Sequence, residues 1–197
     1  MTRIGLISDI HANLPALQRV LEDARQAGCE RVYCLGDMIG LGPQPNEVID
    51  LLRERRVECL IGNVDRNVLR IQEKQEGYRR KGKWAKLLSY AWTWRQLGEE
   101  RRGFLAGLPS SRRTSLDGSA LLMVHGDLDR IDGSLGPELS PDEGRALLAR
   151  AGVQVLAASS SDGVIEAIES MDGNVVAVQW HPERDYTGTL ILDALLA

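Results

Sequence analysis

The chain has 197 residues, of which 43% are hydrophobic and 26% charged, and its formal net charge is -4 at pH 7. This length and composition are typical of a soluble globular protein with a single domain, here expected over residues 1–197, and they exclude a largely disordered chain. No apolar run approaches the roughly 20 residues that span a bilayer, and the N-terminus lacks a signal-peptide pattern, so we expect a cytoplasmic protein without a membrane partner. The negative charge disfavours a general nucleic-acid binder.

The first predicted element is a buried strand that begins at Ile4 and ends in polar residues. Its apolar run stops at Asp9 and His11. In open α/β sheets the chemistry lies beyond the carboxyl ends of the strands, so an acid and an imidazole at this place predict an active site. A helix should follow, with Asn13 as its N-cap and Pro15 in its first turn.

The next two predicted strands end in the same way as the first. One stops at Asp37 and the other at Asn63 and Asp65, each time after a glycine. Each polar residue would be costly to bury without a partner, so three successive strand ends of this kind indicate a functional site rather than core packing. We place the two strands at 31–35 and 57–61, with a helix between them that Asn46 is expected to cap.

The stretch from Arg66 to about Arg113 is rich in lysine and arginine, with tyrosine and tryptophan residues interleaved. A basic face with aromatic rings could bind a phosphate-rich ligand by charge and stacking. We favour the alternative, in which apolar residues at helical spacing pack the rings into a helical excursion over residues 66–113 and the basic side chains stay in water. Nucleic acid is therefore an open but not a favoured partner.

A further apolar run, 120–124, ends at His125 and is the fourth predicted strand end that carries a potential metal ligand. After it, Ser140 is expected to cap a helix that has proline at its first position. The remaining strands are predicted at 153–158, 164–168, 174–178 and 188–193.

The strand-end motifs together resemble those of the calcineurin-like metallophosphoesterases. They are Asp9-X-His11, Gly36-Asp37, Gly62-Asn63-X-Asp65 and Val124-His125-Gly126. The resemblance covers Met1 to about Ala158 and implies an α/β fold of the α+β sandwich type, in which a two-layer β-sandwich is flanked by helices. It further implies two divalent ions, with manganese expected and iron, nickel or zinc as alternatives. Asp37 would bridge the ions, Asp9 and His11 would serve one of them, and Asn63 and His125 the other.

The implied activity is hydrolysis of phosphodiesters or small phosphomonoesters, so the expected partner is a small phosphate-ester substrate. Two cations about 4 Å apart bind phosphoryl oxygens and lower the pKa of a bridging water, which then attacks the phosphorus. We expect Asn63 and Asp65 to be catalytic residues. Arg66 is the candidate contact to a substrate phosphate, and a surface role for it is about as good an interpretation.

Two features depart from the pattern of the family. Val64 stands where many members have a histidine that protonates the leaving group, and Ser159 to Asp162 stand where the family has Gly-His-X-His. The strands over residues 159–197 are therefore atypical. We predict that His181 lies near the metal pair and partly restores its coordination; the alternative is that it packs beside Trp180.

The C-terminal stretch resembles a second family. Residues 162–169 and the sequence Gln179-Trp180-His181-Pro182-Glu183 are similar to the end of class I glutamine amidotransferases and γ-glutamyl hydrolases. There, His-Pro-Glu supplies two members of a Cys-His-Glu triad, but no cysteine of this chain stands in the glycine-flanked turn that the nucleophile occupies. An amidotransferase-like hydrolase is therefore the third hypothesis, behind a phosphoesterase and behind a binding or scaffold protein that keeps the fold without turnover.

Overall fold

The computed structural model describes residues 2–133, 140–159 and 165–169. The helices of these residues are α1 (Leu14–Gln26), α2 (Pro45–Glu54), α3 (Asn63–Leu69), α4 (Ile71–Arg80), α5 (Trp84–Gln96), α6 (Glu99–Ala106) and α7 (Pro141–Ala151). The strands are β1 (Ile4–Ile7), β2 (Arg31–Cys34), β3 (Glu58–Cys59), β4 (Ser111–Leu116), β5 (Ser119–His125), β6 (Val155–Ser159) and β7 (Ile165–Glu169). Among the described helices, none combines the length and the apolar character needed to cross a membrane.

The strands form two sheets. In the first sheet, β1, β2 and β3 are parallel and lie in that order. In the second sheet the order is β4-β5-β6-β7, with β5 and β6 parallel and the outer pairs antiparallel. Parallel neighbours need crossover connections, which α1 and α2 provide between the strands of the first sheet. The carboxyl ends of β1, β2 and β3 consequently meet at one edge of that sheet.

The two sheets pack face to face through a common apolar core. Its buried members are Leu6, Tyr33, Leu35 and Leu60 from the first sheet and its loops and Leu121, Met123, Val155 and Ala157 from the second. Successive side chains of a strand point to opposite faces, so Ile7 and Cys34 of the first sheet pack instead against the helices from α1 to α6. The outer face of the second sheet packs against α7. The predicted β-sandwich flanked by helices is confirmed.

The helix ends with strong local signals lie where the sequence predicts them. The Asn13 side-chain oxygen accepts a hydrogen bond of 3.1 Å from the Ala16 amide at the start of α1. At the start of α7, the Ser140 hydroxyl accepts from the Glu143 amide, and the Glu143 carboxylate accepts in return from the Ser140 amide, which completes a capping box. These short-range bonds are set by residues only three positions apart, so the sequence alone identifies them.

Two expectations about local structure are wrong. Asn46 does not cap α2, because the helix already begins at Pro45, and the Asn46 side-chain amide donates to the Gln96 carbonyl at 3.1 Å. The polar segment 111–116, where the sequence predicts no strand, is strand β4, which joins β5 through a turn at Asp117 and Gly118. An edge strand has one unpaired side, where polar residues are tolerated, so it lacks the apolar run by which the other strands were identified.

The basic stretch 66–113 contains most of α3, all of α4, α5 and α6, and the start of β4. Its aromatic rings divide into two groups. Tyr90 is buried, and Tyr78 and Trp94 pack against the helical core. The expectation that the rings pack inside is wrong for Trp84 and Trp92, which are 55% and 42% exposed.

Candidate metal centre

The loops that follow β1 and β2 and the end of β5 carry the predicted ligands to one edge of the sandwich. Asp9, His11, Asp37 and His125 are all buried, with at most 7% of any of them exposed. Asp9, His11 and Asp37 each offer one ligand atom, and these atoms lie within 4.8 Å of one another. We call these three residues the acid–imidazole cluster, and their spacing is short enough for one cation to contact all three.

The backbone of the acid–imidazole cluster is strained and tightly held. Asp9, His11 and Asp37 have φ angles of 54°, 48° and 54°, a left-handed conformation that is unfavourable for residues with a Cβ atom. Hydrogen bonds across the two loops maintain it: the Asp9 amide donates to the Gly36 carbonyl at 3.1 Å, and the His11 amide donates to the Asp37 carbonyl at 3.0 Å. The two loops therefore form one unit that fixes the direction of the ligand side chains.

His125 presents one ring nitrogen toward the acid–imidazole cluster. Its Nδ1 lies 2.9 Å from the Leu35 carbonyl oxygen, so Nδ1 carries the hydrogen and donates it. The Nε2 atom lies 3.6 Å from Asp37 Oδ1 and, within the described residues, is buried without a hydrogen-bond partner. Burial lowers the pKa of His125 and so favours the neutral ring. A neutral imidazole held through Nδ1, with the Nε2 lone pair directed inward, is the form that binds a metal.

A backbone hydrogen bond holds the Asp37 carboxylate in place, and its neighbours affect its charge. Asp37 Oδ1 accepts a hydrogen bond of 2.7 Å from the Val64 amide. Burial raises the pKa of Asp37 well above its usual value, and the charges of Asp65 and Asp9 raise it further. Several carboxylates held this close are unfavourable in the ionised form unless a positive charge lies between them. The oxygen and nitrogen donors of this site therefore fit a divalent cation.

Asn63, Asp65 and Arg66 all lie in the first turn and a half of α3, beside Asp37. Asn63 and Arg66 are half-buried, whereas Asp65 is fully buried. One Asp65 oxygen accepts from the Ile39 amide at 3.1 Å and the other from the Gly62 amide at 3.0 Å. These bonds fasten the loop after β2 to the start of α3. The catalytic roles of Asn63 and Asp65 and the substrate contact of Arg66 stay predictions.

Two supporting residues were not identified from the sequence as such. The Ser8 hydroxyl donates to Asp9 Oδ2 at 2.6 Å and so helps to orient that carboxylate. Asp65 acts at the third position of α3 as the acidic partner of the Gly62 amide. The spacing from the helix cap to an acid three positions later is a known helix-start signal, which could have indicated the role of Asp65. No comparable sequence signal exists for Ser8.

The glycines before Asp37 and Asn63 allow the two loops to cross. A Cβ atom on Gly36 would lie 2.7 Å from both the N and Cα atoms of Gly62, and Gly36 has φ +113°. A Gly36→Ala substitution is expected to lower the free energy of unfolding by about 2 kcal/mol or more, because neither backbone can move away freely. Gly77→Ala is the matched control, since nothing lies within 4 Å of its added Cβ inside α4, and it should raise stability by about 0.5–1 kcal/mol. Urea denaturation of both variants tests this pair, and equal effects would contradict it.

The segment that replaces Gly-His-X-His begins next to His125. Strand β6 runs parallel to β5, and Ser159 is in register with His125. The chain therefore leaves β6 at the edge where the candidate ligands lie. Asp162 and His181 lie outside the described residues, as do the strands expected at 174–178 and 188–193, so the proposed ligand role of His181 stays a prediction.

A groove of about 410 Å³ opens beside the acid–imidazole cluster, between the loops that follow β1 and β2. His11 contributes to its wall together with Leu41 and Pro43. Main-chain bonds hold the groove in shape, because the Gly42 amide donates to the His11 carbonyl at 2.9 Å. If a small molecule binds at the acid–imidazole cluster, this groove has room for its organic part.

Comparison with families of known proteins gives two matches. The model of the calcineurin-like phosphoesterase superfamily domain matches residues 2–157, and the model of peptidase C26 matches residues 147–183. The matched regions overlap at residues 147–157, from the last turns of α7 into β6. They cover the same two parts of the chain as the resemblances found in the sequence.

Individual relatives match over shorter stretches. An uncharacterized protein of Methanocaldococcus jannaschii is 35% identical over 122 residues, which are 62% of this chain and 48% of that protein. The phosphodiesterase YfcE of Escherichia coli K12 is 36% identical over 78 residues, which are 34% of this chain and 42% of that protein. The chain thus spans about half the length, or less, of the curated relatives it matches.

Two solved structures share the fold of this chain. A hypothetical protein from Pyrococcus horikoshii OT3 superimposes with a TM-score of 0.68 at 22% identity, covering 82% of this chain and 70% of that one. A metallophosphoesterase from Sphaerobacter thermophilus gives a TM-score of 0.51 at 31% identity, covering 68% of this chain and 50% of that one. The first likeness supports the fold, and the second is to a protein that is described as a metallophosphoesterase.

Proposed function

The chain belongs to the calcineurin-like phosphoesterase superfamily, and from this premise we propose that it is a metal-dependent enzyme that hydrolyses phosphodiesters or small phosphomonoesters at a dinuclear site. The observation that carries the proposal is the convergence of Asp9, His11 and Asp37, whose ligand atoms lie within 4.8 Å of one another in a buried site. The likeness to a phosphodiesterase of E. coli over 78 residues supports the same class of substrate.

The proposed ligand assignment follows the pattern of the family, and the positions of Asp9, His11, Asp37 and His125 support it. Asp9 and His11 would hold one ion, Asn63 and His125 would hold the other, and Asp37 would bridge them through its two carboxylate oxygens. Bound divalent ions, with manganese as the first candidate and iron, nickel or zinc as alternatives, supply Lewis acidity to the phosphoryl group and lower the pKa of a nucleophilic water. The mixture of oxygen and imidazole donors without thiolate suits such ions.

The other residues of the site position the substrate and the ligands. Arg66 is close enough in sequence to Asn63, one turn of α3 away, to direct its guanidinium toward a bound phosphate. Asp65, expected from the sequence to be catalytic, is proposed here as a positioning residue instead, since its two oxygens accept from backbone amides of the loops that carry Asp37 and Asn63. The Val64 side chain cannot protonate a leaving group as a histidine would. The proposed substrates therefore carry leaving groups that depart without a histidine acid, or another residue protonates the leaving group.

A manganese-dependent assay with bis(p-nitrophenyl) phosphate tests the proposal. We expect release of p-nitrophenolate that requires added manganese and stops on chelation, with the monoester p-nitrophenyl phosphate as the second substrate. Metal binding without turnover of either ester would favour the second candidate function, a binding or scaffold protein that keeps the fold. Val64 and the segment Ser159 to Asp162 are the observations that favour that candidate, because both replace family histidines.

A Cys-dependent amidotransferase activity receives less support. The peptidase C26 match covers only residues 147–183. Cys34 and Cys59 are buried between the first sheet and the helices, and a hydrogen bond with Cys59 together with burial raises the pKa of the Cys34 thiol. A buried, protonated thiol is a poor nucleophile. Hydrolysis of glutamine or γ-glutamyl amides that a thiol reagent blocks would reverse this ranking.

His181 is proposed as a substitute for the missing histidines of the family. The proposal is supported by the residues that replace the family's histidines, Ser159 to Asp162, because the first of them is in register with His125. His181→Gln is expected to weaken manganese binding about tenfold or more, the range seen when a metal site loses a supporting ligand. Calorimetric titration measures it, and unchanged affinity would instead assign His181 to packing beside Trp180.

A further inference from the structure

Helix α5 carries a stripe of apolar side chains that face solvent. Trp84, Leu88 and Trp92 are spaced four residues apart and therefore lie along one side of the helix. They are 55%, 66% and 42% exposed, which makes them three of the four large apolar side chains exposed among the described residues. The opposite side of α5 already packs in the core through Leu87 and Tyr90, so core formation does not account for the stripe.

The surroundings of this stripe are strongly basic. Residues 77–98 contain six cationic and no acidic side chains, a local charge of +6 in a chain whose net charge is -4. Arg79 pairs with Glu76 at 3.8 Å, whereas the other five form no ion pair with any described residue. Those five, all exposed, are Arg80, Lys81, Lys83, Lys86 and Arg95. Lys86 lies two residues after Trp84 and so on the other side of α5. We call the stripe, together with Arg80, Lys81, Lys83 and Arg95, the basic aromatic surface.

We propose that the basic aromatic surface binds single-stranded nucleic acid. Cations attract the phosphate backbone, and half-exposed tryptophan rings offer faces on which bases stack regardless of sequence. Trp92 stands eight positions after Trp84 in α5, so the two rings lie about 12 Å apart along the helix axis. Arg95 lies three residues after Trp92 and so on the same side of α5 as the two rings, and Arg80, Lys81 and Lys83 lie just before Trp84, so cations are present at both ends of the stripe.

The charge and exposure at this surface distinguish the proposed ligand from other occupants. A second copy of the chain would bring two positively charged surfaces together, which is repulsive. An anionic membrane would also meet the charge, but it offers no planar groups that stack on the half-exposed rings of Trp84 and Trp92. A strand that needs stacking faces and unpaired cations fits both observations.

The basic aromatic surface is joined to the groove beside the candidate metal centre. The Leu41 amide donates to the Ser89 hydroxyl of α5 at 3.1 Å, and Leu41 also lines the groove next to His11. Leu41 is 56% exposed and has φ +65°, an unfavourable conformation for a leucine that this bond helps to maintain. A strand on α5 can therefore extend toward the centre, although the binding proposal does not depend on catalysis there.

Fluorescence anisotropy with a labelled oligothymidylate of about 12 nucleotides tests the proposal, with a chelator present so that no hydrolysis occurs. We expect binding that weakens steeply with salt. The double variant Trp84→Ala/Trp92→Ala should bind about tenfold or more weakly, and Trp84→Phe/Trp92→Phe should recover most of the affinity because phenyl rings also stack. Both variants should keep the thermal stability and the activity on a small phosphate ester of the unmodified chain.

Charge variants and two competing probes complete the experiment. Lys83→Glu/Arg95→Glu should lower the affinity and the salt dependence, whereas Arg19→Gln, which removes an exposed cation from α1, should change neither. The proposal is overturned if the oligonucleotide does not bind, or if the double alanine variant binds it as tightly as the original. Equal binding of heparin, insensitive to loss of the tryptophans, would also overturn it, as would binding to phosphatidylserine vesicles in place of the oligonucleotide.

Discussion

Replacing Asp37 with asparagine is expected to lower kcat/KM for bis(p-nitrophenyl) phosphate about 1,000-fold or more, equivalent to about 4 kcal/mol of transition-state stabilisation. Asparagine has almost the same shape as aspartate, and its Oδ1 can still accept the Val64 amide hydrogen that Asp37 accepts at 2.7 Å. What it removes is the negative charge and the second anionic oxygen that bridging requires. The loss should therefore be in catalysis and metal binding and not in the fold.

Asp50→Asn is the matched control for this substitution. Asp50 is an exposed acid of α2 whose carboxylate accepts two hydrogen bonds from Arg101 at 2.9 and 2.5 Å. Surface ion pairs contribute about 0–1 kcal/mol to stability, so this variant should keep kcat/KM within about twofold of the original. If Asp37→Asn retained more than a tenth of the activity, a bridging role for Asp37 would be excluded. A fall in both variants would indicate a general effect of charge on the assay.

The sequence was sufficient to predict the part of the candidate site that lies at the ends of the parallel strands. Asp9, Asp37 and Asn63 follow three successive strands of one parallel sheet, and the ends of such strands meet by construction. His125 comes from the other sheet, and no periodicity reveals how two sheets are stacked. It was included because it follows an apolar strand and because of the family resemblance, and the structure brings its Nε2 to 3.6 Å from Asp37 Oδ1.

Helix α5 shows why helical spacing alone does not identify the buried side. Leu87, Tyr90 and Trp94 recur at helical intervals, and so do Trp84, Leu88 and Trp92. Both sets form apolar stripes, so the sequence cannot choose between them. The choice is made by the neighbours of α5, since the first set packs onto the core shared with the first sheet and the second is left in solvent. Tertiary contacts decide such cases because both alternatives satisfy the local pattern.

Removal of divalent metal is expected to lower the Tm of the protein by about 5–10 °C. A ligand present at about 100 times its dissociation constant stabilises the native state by about 2.7 kcal/mol, and each kcal/mol shifts the Tm of a domain of this size by about 2–4 °C. The buried acids supply the physical reason, because the pKa of Asp37 is raised by desolvation and by Asp65 and Asp9 when no cation is present. Thermal scans with manganese and with a chelator measure the difference.

The pH dependence of this difference separates a metal bound at Asp37 from one bound elsewhere. A carboxyl whose pKa is raised in the folded state adds stability below the pKa of the unfolded chain, and that stability is lost as pH rises through the folded value. The metal-free protein should therefore lose Tm as the pH rises above the usual aspartate pKa and through the raised pKa of Asp37, while the manganese-loaded protein should not. Without metal, Asp37→Asn should be more stable than the original at neutral pH, because it removes a buried charge and keeps the bond from Val64. Asp37→Asn would then raise the stability of the metal-free protein and strongly lower its activity. This combination is expected where an active site keeps an unfavourable charge that its chemistry requires. A metal-free Asp37→Asn variant less stable than the original, with the same response to manganese, would place the ion at other residues.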